Sequence, residues 1–172
     1  LGLSTLSAAY AVWMALFRKD KSILVIATKL AVAQNFIKKV KIALSGIPKW
    51  LWITEITTKN TQAIEFSNGS MIKAVPTSED AGRSEALSLL IVDEAAFIRN
   101  FDELWKGLYP TLSTGGRAIL VSTPNGTGGQ YYDIYHGAEE GQNEFNAIKL
   151  PWDVHPERDD EWFEKEAKNL NK

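Results

Sequence analysis

The chain of 172 residues contains no cysteine, only two histidines and no long run of apolar residues. The absence of cysteine excludes disulfide bridges, thiolate zinc sites and a cysteine nucleophile, and it fits a reducing cytosol. No apolar stretch approaches the ~20 residues that cross a bilayer, so we expect no membrane-spanning segment. The hydrophobic fraction of 45% and the charged fraction of 23% are typical of one globular domain.

Charge is distributed unevenly along the chain. Residues 1–50 carry eight basic side chains and one acidic one, whereas the remainder carries eleven basic and twenty acidic ones. The net charge of −2 argues against nucleic-acid binding by general electrostatics, so any phosphate contact has to be local or come from another part of the protein. The simpler interpretation of the basic half is a solvated lysine face on an amphipathic helix.

Apolar helices and short apolar strands alternate along the chain. The periodicity predicts helices at residues 4–17, 29–44, 102–113, 130–138 and 159–170, and strands at 22–28, 52–56, 63–66, 71–75, 89–92, 118–122 and 146–150. An Asn-Gly pair at positions 68 and 69 predicts a hairpin turn between two of these strands. This order predicts an α/β fold in which helices sandwich a mainly parallel sheet with a local antiparallel hairpin insertion.

Two carboxylates follow the strand at residues 89–92. Its four branched apolar residues are typical of a strand buried on both faces, and Asp93 and Glu94 come directly after it. Open α/β sheets bind ligands at the carboxyl ends of their strands, where one acid can serve the magnesium shell and the next can face an attacking water. The pattern therefore predicts Asp93 at Mg²⁺ and Glu94 as a general base. The alternative is a core strand that leaves into a loop capped by one of these acids.

The first helix opens on a candidate phosphate-binding segment. Gly2, Leu3, Ser4 and Thr5 correspond to the end of the pattern GxxxxGK[ST], with Leu3 in place of the lysine. Backbone amides at a helix start still bind anions, and a basic residue elsewhere in the loop can replace the missing charge. We expect these four residues at the phosphates, with Ser4 also at Mg²⁺. The alternative is an ordinary N-cap formed by Ser4.

Two further polar segments are candidates for the same site. The strand at residues 118–122 ends in Ser122, Thr123 and a Pro-Asn-Gly turn. Because parallel strands share a carboxyl edge, either hydroxyl can bond the catalytic carboxylate or the water at a γ-phosphate. Arg83 lies in a polar loop ahead of the carboxylate strand and is a candidate for stabilising the transferred phosphoryl group, in cis or on a neighbouring subunit. Taken singly, these are better explained as a strand exit and an exposed, paired arginine.

Together these residues resemble the ATPase domain of the large terminase subunit of tailed bacteriophages, the motor that drives DNA into a preformed capsid. The resemblance covers nearly the whole chain and is strongest in FSNGS at 66–70, Arg83, residues 89–94, Phe97, residues 121–126 and YDIY at 132–135. It implies a P-loop NTPase-like three-layer sandwich that hydrolyses ATP with Mg²⁺. It also implies that Asp93 and Glu94 are the Walker B acid and the catalytic glutamate, and that residues 122–124 couple hydrolysis to movement.

The same resemblance implies partners and a location. The expected partners are double-stranded DNA, a portal protein, a small terminase subunit and further copies of the chain in a homo-oligomeric ring. A phage-encoded motor of this kind is expected in the cytoplasm of the host cell, without a membrane. Arg83 resembles an arginine that some members of the family present to the ATP of a neighbour, and it acts either in this way or in cis.

The chain departs from the family pattern at its ends. Its first residue is Leu1, and residues 1–17 lack the basic leader and the small-residue cleavage site of a signal peptide. The resemblance implies that the strand normally preceding the P-loop is not contained in this sequence. We expect residues 1–150 to be an ATPase domain without its first strand and most of its P-loop, which binds ATP poorly by itself. Residues 151–172 are expected to start a linker towards a nuclease domain of ribonuclease H type outside the chain. The competing hypotheses are a helicase- or translocase-type P-loop ATPase and a catalytically incompetent fragment that acts as an assembly module.

Overall fold

A six-stranded mixed sheet forms the centre of the first of two structural units, Gly2–Asp133. The structure is a computed structural model that describes residues 2–77 and 86–170. The strand order is β2-β3-β4-β1-β5-β6, in which β4, β1, β5 and β6 run parallel and β2, β3 and β4 run antiparallel. The predicted mainly parallel α/β sheet is confirmed. The strands are β1 (Ser22–Ala27), β2 (Ile56–Lys59), β3 (Ala63–Phe66), β4 (Met71–Pro76), β5 (Leu89–Asp93) and β6 (Arg117–Val121).

Two helices pack together on one face of this sheet. Apolar residues of α1 and α2 form one buried cluster with Val25 of β1 and Ile91 of β5, whereas the alternate residues Ile26 and Val92 are equally buried on the opposite face. Every residue of β5 is buried, which explains its unbroken apolar run. The helices are α1 (Leu3–Phe17), α2 (Leu30–Ser45), α3 (Phe101–Leu108), α4 (Gln130–Glu139) and α5 (Asp160–Leu170).

The third helix is shorter than predicted. α3 ends at Leu108, and a 3-10 helix at Tyr109–Leu112 replaces the last turn of the expected helix. Pro110 explains the change, because proline has no amide hydrogen to donate to the preceding turn and its ring clashes with that turn. Asn100 occupies the N-cap position of α3 in a left-handed conformation, and its side chain makes no capping bond within the described part of the chain.

The antiparallel hairpin is continuous with the main sheet. β3 and β4 pair antiparallel, and β4 then pairs parallel with β1. The strand predicted at 52–56 is wrong: a 3-10 helix occupies Lys49–Leu51, and β2 begins only at Ile56. Between these two elements, the Trp52 indole donates to the Ile47 carbonyl at 3.1 Å, in the loop that follows α2.

The hairpin turn caps the carboxyl end of α1. The Asn68 Nδ2 group donates to the carbonyls of Ala15 at 2.9 Å and Arg18 at 3.0 Å, while its Oδ1 accepts from the Ser70 amide at 3.0 Å. The last carbonyls of a helix have no partner within the helix, so these bonds satisfy groups that would otherwise need water. Gly69 completes the turn with a φ of +82°, and a Cβ there would overlap the Asp20 carboxylate.

We expect Asn68→Ala to lower the free energy of unfolding by about 2 kcal/mol, because it removes two donors and one acceptor that are only partly exposed. Urea denaturation measures the loss. Asn35→Ala is the matched control, since Asn35 accepts from Lys38 at an exposed site and its loss should change stability by less than about 0.5 kcal/mol. Equal losses in the two variants would contradict the capping role of Asn68.

The second unit begins at Ile134, and its described part ends at residue 170. Trp152 stacks on Phe163 of α5 at a centroid distance of 4.8 Å, and the Arg158 guanidinium lies 4.5 Å above the Trp162 ring. The strand predicted at 146–150 is wrong, because these residues have no regular secondary structure. So short a segment does not form a strand without a neighbouring strand to supply ladder bonds.

The predicted domain boundary at residue 150 stays a prediction.

No helix in the described ranges is long and apolar enough to cross a membrane.

Candidate functional site

The amino end of α1 meets the carboxyl end of β5. The Ser4 hydroxyl donates to Asp93 Oδ1 at 3.0 Å, although the two residues lie 89 positions apart in the sequence. Asp93 is only 7% exposed, which is unusual for a charged residue. The fold therefore brings together the two residues that the sequence predicts at Mg²⁺.

The first turn of α1 presents backbone amides at the same place. Gly2 adopts a left-handed conformation with φ +73°, and its carbonyl accepts from the amides of Thr5 at 2.9 Å and Leu6 at 3.0 Å. Within the described residues, the amides of Leu3 and Ser4 have no hydrogen-bond acceptor. Such a helix start suits an anion, through its amides and its dipole. The roles predicted for these residues at phosphate remain predictions.

Glu94 has an unusual backbone conformation. Its φ of +57° and ψ of +44° lie in the left-handed region, which costs a residue with a Cβ roughly 1 kcal/mol. Its carbonyl accepts from the Phe97 amide at 2.9 Å, which closes a tight turn directly after β5. Glu94 is exposed whereas Asp93 is buried, so the two neighbouring acids lie in different environments. Strain of this kind is concentrated at functional sites.

The exit from β6 is tied to the turn that follows Glu94. The Ser122 Oγ accepts from the Ala96 amide at 3.1 Å, and the Asn125 Nδ2 donates to the Ala96 carbonyl at 3.0 Å. We call Ser122 and Asn125, with these two bonds, the Ala96 clamp. The sequence predicts Ser122 or Thr123 at the carboxylate or the attacking water, and the structure places the Ser122 hydroxyl on main chain two residues beyond Glu94. Thr123 is exposed.

Asn125 is a functional candidate that the sequence analysis does not single out. The Pro-Asn-Gly sequence predicts only a turn, and residues 122–125 have no regular secondary structure. No local sequence pattern indicates that the Asn125 side-chain amide donates to the carbonyl of Ala96, 29 positions away. Arg83 lies outside the described residues, so its predicted role stays a prediction.

The oxygen donors at this edge fit Mg²⁺. A serine hydroxyl and a carboxylate are hard ligands, and Mg²⁺ is usually held by one or two carboxylates together with waters and substrate phosphates. The described residues contain no group of three or more His, Cys, Asp or Glu side chains that would form an all-protein cage. A metal held by these two donors would take its remaining ligands from water or phosphates.

Comparison with known protein families decides the family. The model of the family described as terminase large subunit, T4likevirus-type, N-terminal, matches residues 1–171. The chain belongs to this family. The family predicted from the sequence motifs is confirmed.

Solved structures of other terminases share the fold of this terminase chain. The ATPase domain of the large terminase of Thermus phage P74-26 has a TM-score of 0.68 at 22% identity, over 99% of this chain and 79% of that one. The large terminase of bacteriophage HK97 has a TM-score of 0.74 at 14% identity, over 98% of this chain. The large terminase of a thermophilic bacteriophage, in complex with ADP, has a TM-score of 0.65 at 11% identity, over 95% of this chain.

The terminase chain is shorter than these proteins. It spans 40% of the HK97 large terminase, 40% of the ADP-bound large terminase and 60% of a mutant of the P74-26 ATPase domain.

Proposed function

We propose that this terminase chain is the ATP-hydrolysing motor part of a phage large terminase subunit, which couples Mg-ATP hydrolysis to the movement of double-stranded DNA into a capsid. The observation that carries the proposal is the bond from Ser4 to Asp93, because it joins a helix start suited to phosphate to a buried carboxylate. Family membership adds the packaging context. The ADP complex of the large terminase from a thermophilic bacteriophage supports a nucleotide as the ligand.

Each residue has a distinct part in the proposed reaction. The segment from Gly2 to Thr5 would bind the phosphates, with the amides of Leu3 and Ser4 as donors, while the Ser4 hydroxyl and the Asp93 carboxylate would hold Mg²⁺. When bound, the metal would neutralise charge that develops on the phosphate oxygens. Glu94 accepts a proton from the attacking water, for which an exposed carboxylate beside the buried Asp93 is suitably placed.

The remaining assignments come from the family. By the same resemblance, Ser122 and Thr123 would serve the bound nucleotide and couple hydrolysis to movement, and Arg83 would stabilise the phosphoryl group in cis or in trans. We propose a ring of identical subunits acting on DNA with a portal protein and a small terminase subunit, in the cytoplasm of the host cell. We also propose that the chain continues, beyond a linker at residues 151–172, into a nuclease domain.

The function is tested on the large terminase subunit that contains this chain. We expect ATP hydrolysis that requires Mg²⁺ and stops with EDTA, and packaging of linear DNA into empty capsids when portal and small subunit are supplied. A subunit that binds DNA and portal but never hydrolyses ATP would instead be an assembly module.

We expect Asp93→Asn to lower ATP turnover about 100-fold or more and to weaken binding of Mg-ATP more than binding of metal-free ATP. The amide can still accept a bond from Ser4, but it lacks the negative charge that attracts Mg²⁺. Calorimetric titration with and without Mg²⁺ measures the difference. Asp102→Asn removes an exposed acid paired with Lys106 and should leave both quantities unchanged. Unaltered Mg²⁺ dependence in Asp93→Asn would contradict the metal assignment.

A further inference from the structure

We propose that Asn125 is a positioning residue for the hydrolysis step, and that it acts with Ser122 through the main chain of Ala96 to hold Glu94 in place. The inference rests on the proposed function, because that function makes Glu94 the general base. The residue assigned here is Asn125, which has no role in the proposed function.

Both main-chain polar groups of Ala96 are held by side chains of one short segment. The amide donates to Ser122 and the carbonyl accepts from Asn125, at 3.1 Å and 3.0 Å. Pro124 lies between the two contacting residues, and its ring restricts φ, so the spacing of their side chains is partly set before any contact forms. Val121 pairs with Asp93 in the sheet, which brings this segment alongside the turn that begins at Glu94.

Glu94 needs such support because its backbone is strained. A left-handed conformation at a residue with a Cβ persists only where the surrounding structure holds it. The bond from the Phe97 amide closes one side of the turn, and Ala95 is buried at 1% exposure. The Ala96 clamp anchors the remaining side of the same turn. The direction of the Glu94 carboxylate therefore depends on contacts made by Ser122 and Asn125.

The expected loss of turnover and the expected loss of stability differ in size, and this difference separates a positioning role from simple stabilisation. Asn125 is exposed, so water can replace much of its bond to Ala96 and the loss to global stability is small. In contrast, a displacement of a catalytic group by about 1 Å can lower a rate by roughly 100-fold. Removal of the Asn125 donor should therefore lower turnover much more than it lowers stability or nucleotide affinity.

Asn125→Asp is the variant that tests the inference. Aspartate has nearly the same size but cannot donate, and its carboxylate would face the Ala96 carbonyl. In the large terminase subunit we expect kcat for ATP to fall about 10-fold or more, while KM, the Kd for Mg-ATP and the unfolding midpoint stay close to those of the wild type. Amide hydrogen exchange in a peptide covering residues 94–98 should become faster, which reports release of the turn directly.

Asn143→Asp is the matched control. Asn143 also donates its Nδ2 to a main-chain carbonyl, that of Ile134 at 2.9 Å, within the second unit. Loss of this bond should leave kcat unchanged. The comparison therefore separates the loss of one asparagine bond in general from the loss of the bond to Ala96.

The outcomes distinguish the inference from the proposed function. A normal kcat in Asn125→Asp, or a fall in kcat accompanied by an equal loss of nucleotide affinity, would overturn the positioning role even if the wild type hydrolyses ATP. If the wild type does not hydrolyse ATP, the proposed function fails and takes the positioning role with it. Faster exchange at residues 94–98 together with a selective fall in kcat supports the inference.

Discussion

Replacement of Glu94 by glutamine should lower ATP turnover by about 10²–10⁴-fold while leaving the affinity for Mg-ATP within a small factor of the wild type. A positioned general base contributes a rate factor of this order, and glutamine keeps the size of the side chain but cannot accept a proton. Because the base acts mainly in the transition state, its loss affects kcat rather than binding. Single-turnover hydrolysis and calorimetric titration of Mg-ATP measure the two quantities separately.

Glu103→Gln is the control for Glu94→Gln. Glu103 is an exposed acid in the first turn of α3, so its neutralisation changes the net charge equally without removing the proposed base. We expect wild-type turnover in this variant. Turnover that survives Glu94→Gln would remove Glu94 from the mechanism, and a matching loss in Glu103→Gln would attribute the effect to charge alone.

Gly116→Ala should lower the free energy of unfolding by about 2–3 kcal/mol, because the protein has no room for a side chain at this position. A Cβ on Gly116 would overlap the Leu87 carbonyl oxygen and lie 2.9 Å from Leu112 Cδ2. The contacted oxygen belongs to the backbone, so it cannot move aside as the end of a flexible side chain would. Arg117 follows at once and pairs with Leu89, and the substitution therefore pushes β6 away from β5.

Gly128→Ala is the matched control for Gly116→Ala. Among the residues that the structure describes, no atom lies within 4 Å of a Cβ built at Gly128, so alanine should be nearly neutral there. Chemical denaturation of both variants measures the difference in stability. Similar stabilities would contradict the close approach of Gly116 to Leu87. Since β6 carries Ser122 at its exit, Gly116→Ala should also lower turnover, whereas Gly128→Ala should not.

The structural features that the sequence predicts well in this terminase chain are those that depend on a local pattern of residues. The unbroken apolar run before Asp93 indicates a strand buried on both faces, and β5 is buried along its whole length. The Asn-Gly pair indicates a hairpin turn, and β3 and β4 pair as expected. Both features depend on neighbouring residues only, because side-chain periodicity and turn chemistry act over a few positions.

The two wrong strand predictions have a common cause in contacts between distant residues. Residues 52–56 and 146–150 have the composition of strands, but a strand also requires a neighbour with free ladder bonds. The first segment instead bonds to nearby loops, and the second has no regular secondary structure. Pro110 is different, since its effect on α3 is local and suffices to predict the end of the helix.

The composition and motifs of the chain are enough to indicate its α/β fold, its terminase family and the paired acids Asp93 and Glu94. They also predict Ser4 and Asp93 at one metal, but only the tertiary structure gives the hydrogen bond between those two residues, which lie 89 positions apart. The contact of Asn125 with Ala96, which lie 29 positions apart, has no sequence signal at all. Hydrophobic periodicity specifies which face of an element is buried, and the packed sheet then specifies which ends of those elements meet. The left-handed turn at Glu94 is also decided by the tertiary structure, since only surrounding contacts can hold a glutamate in this conformation.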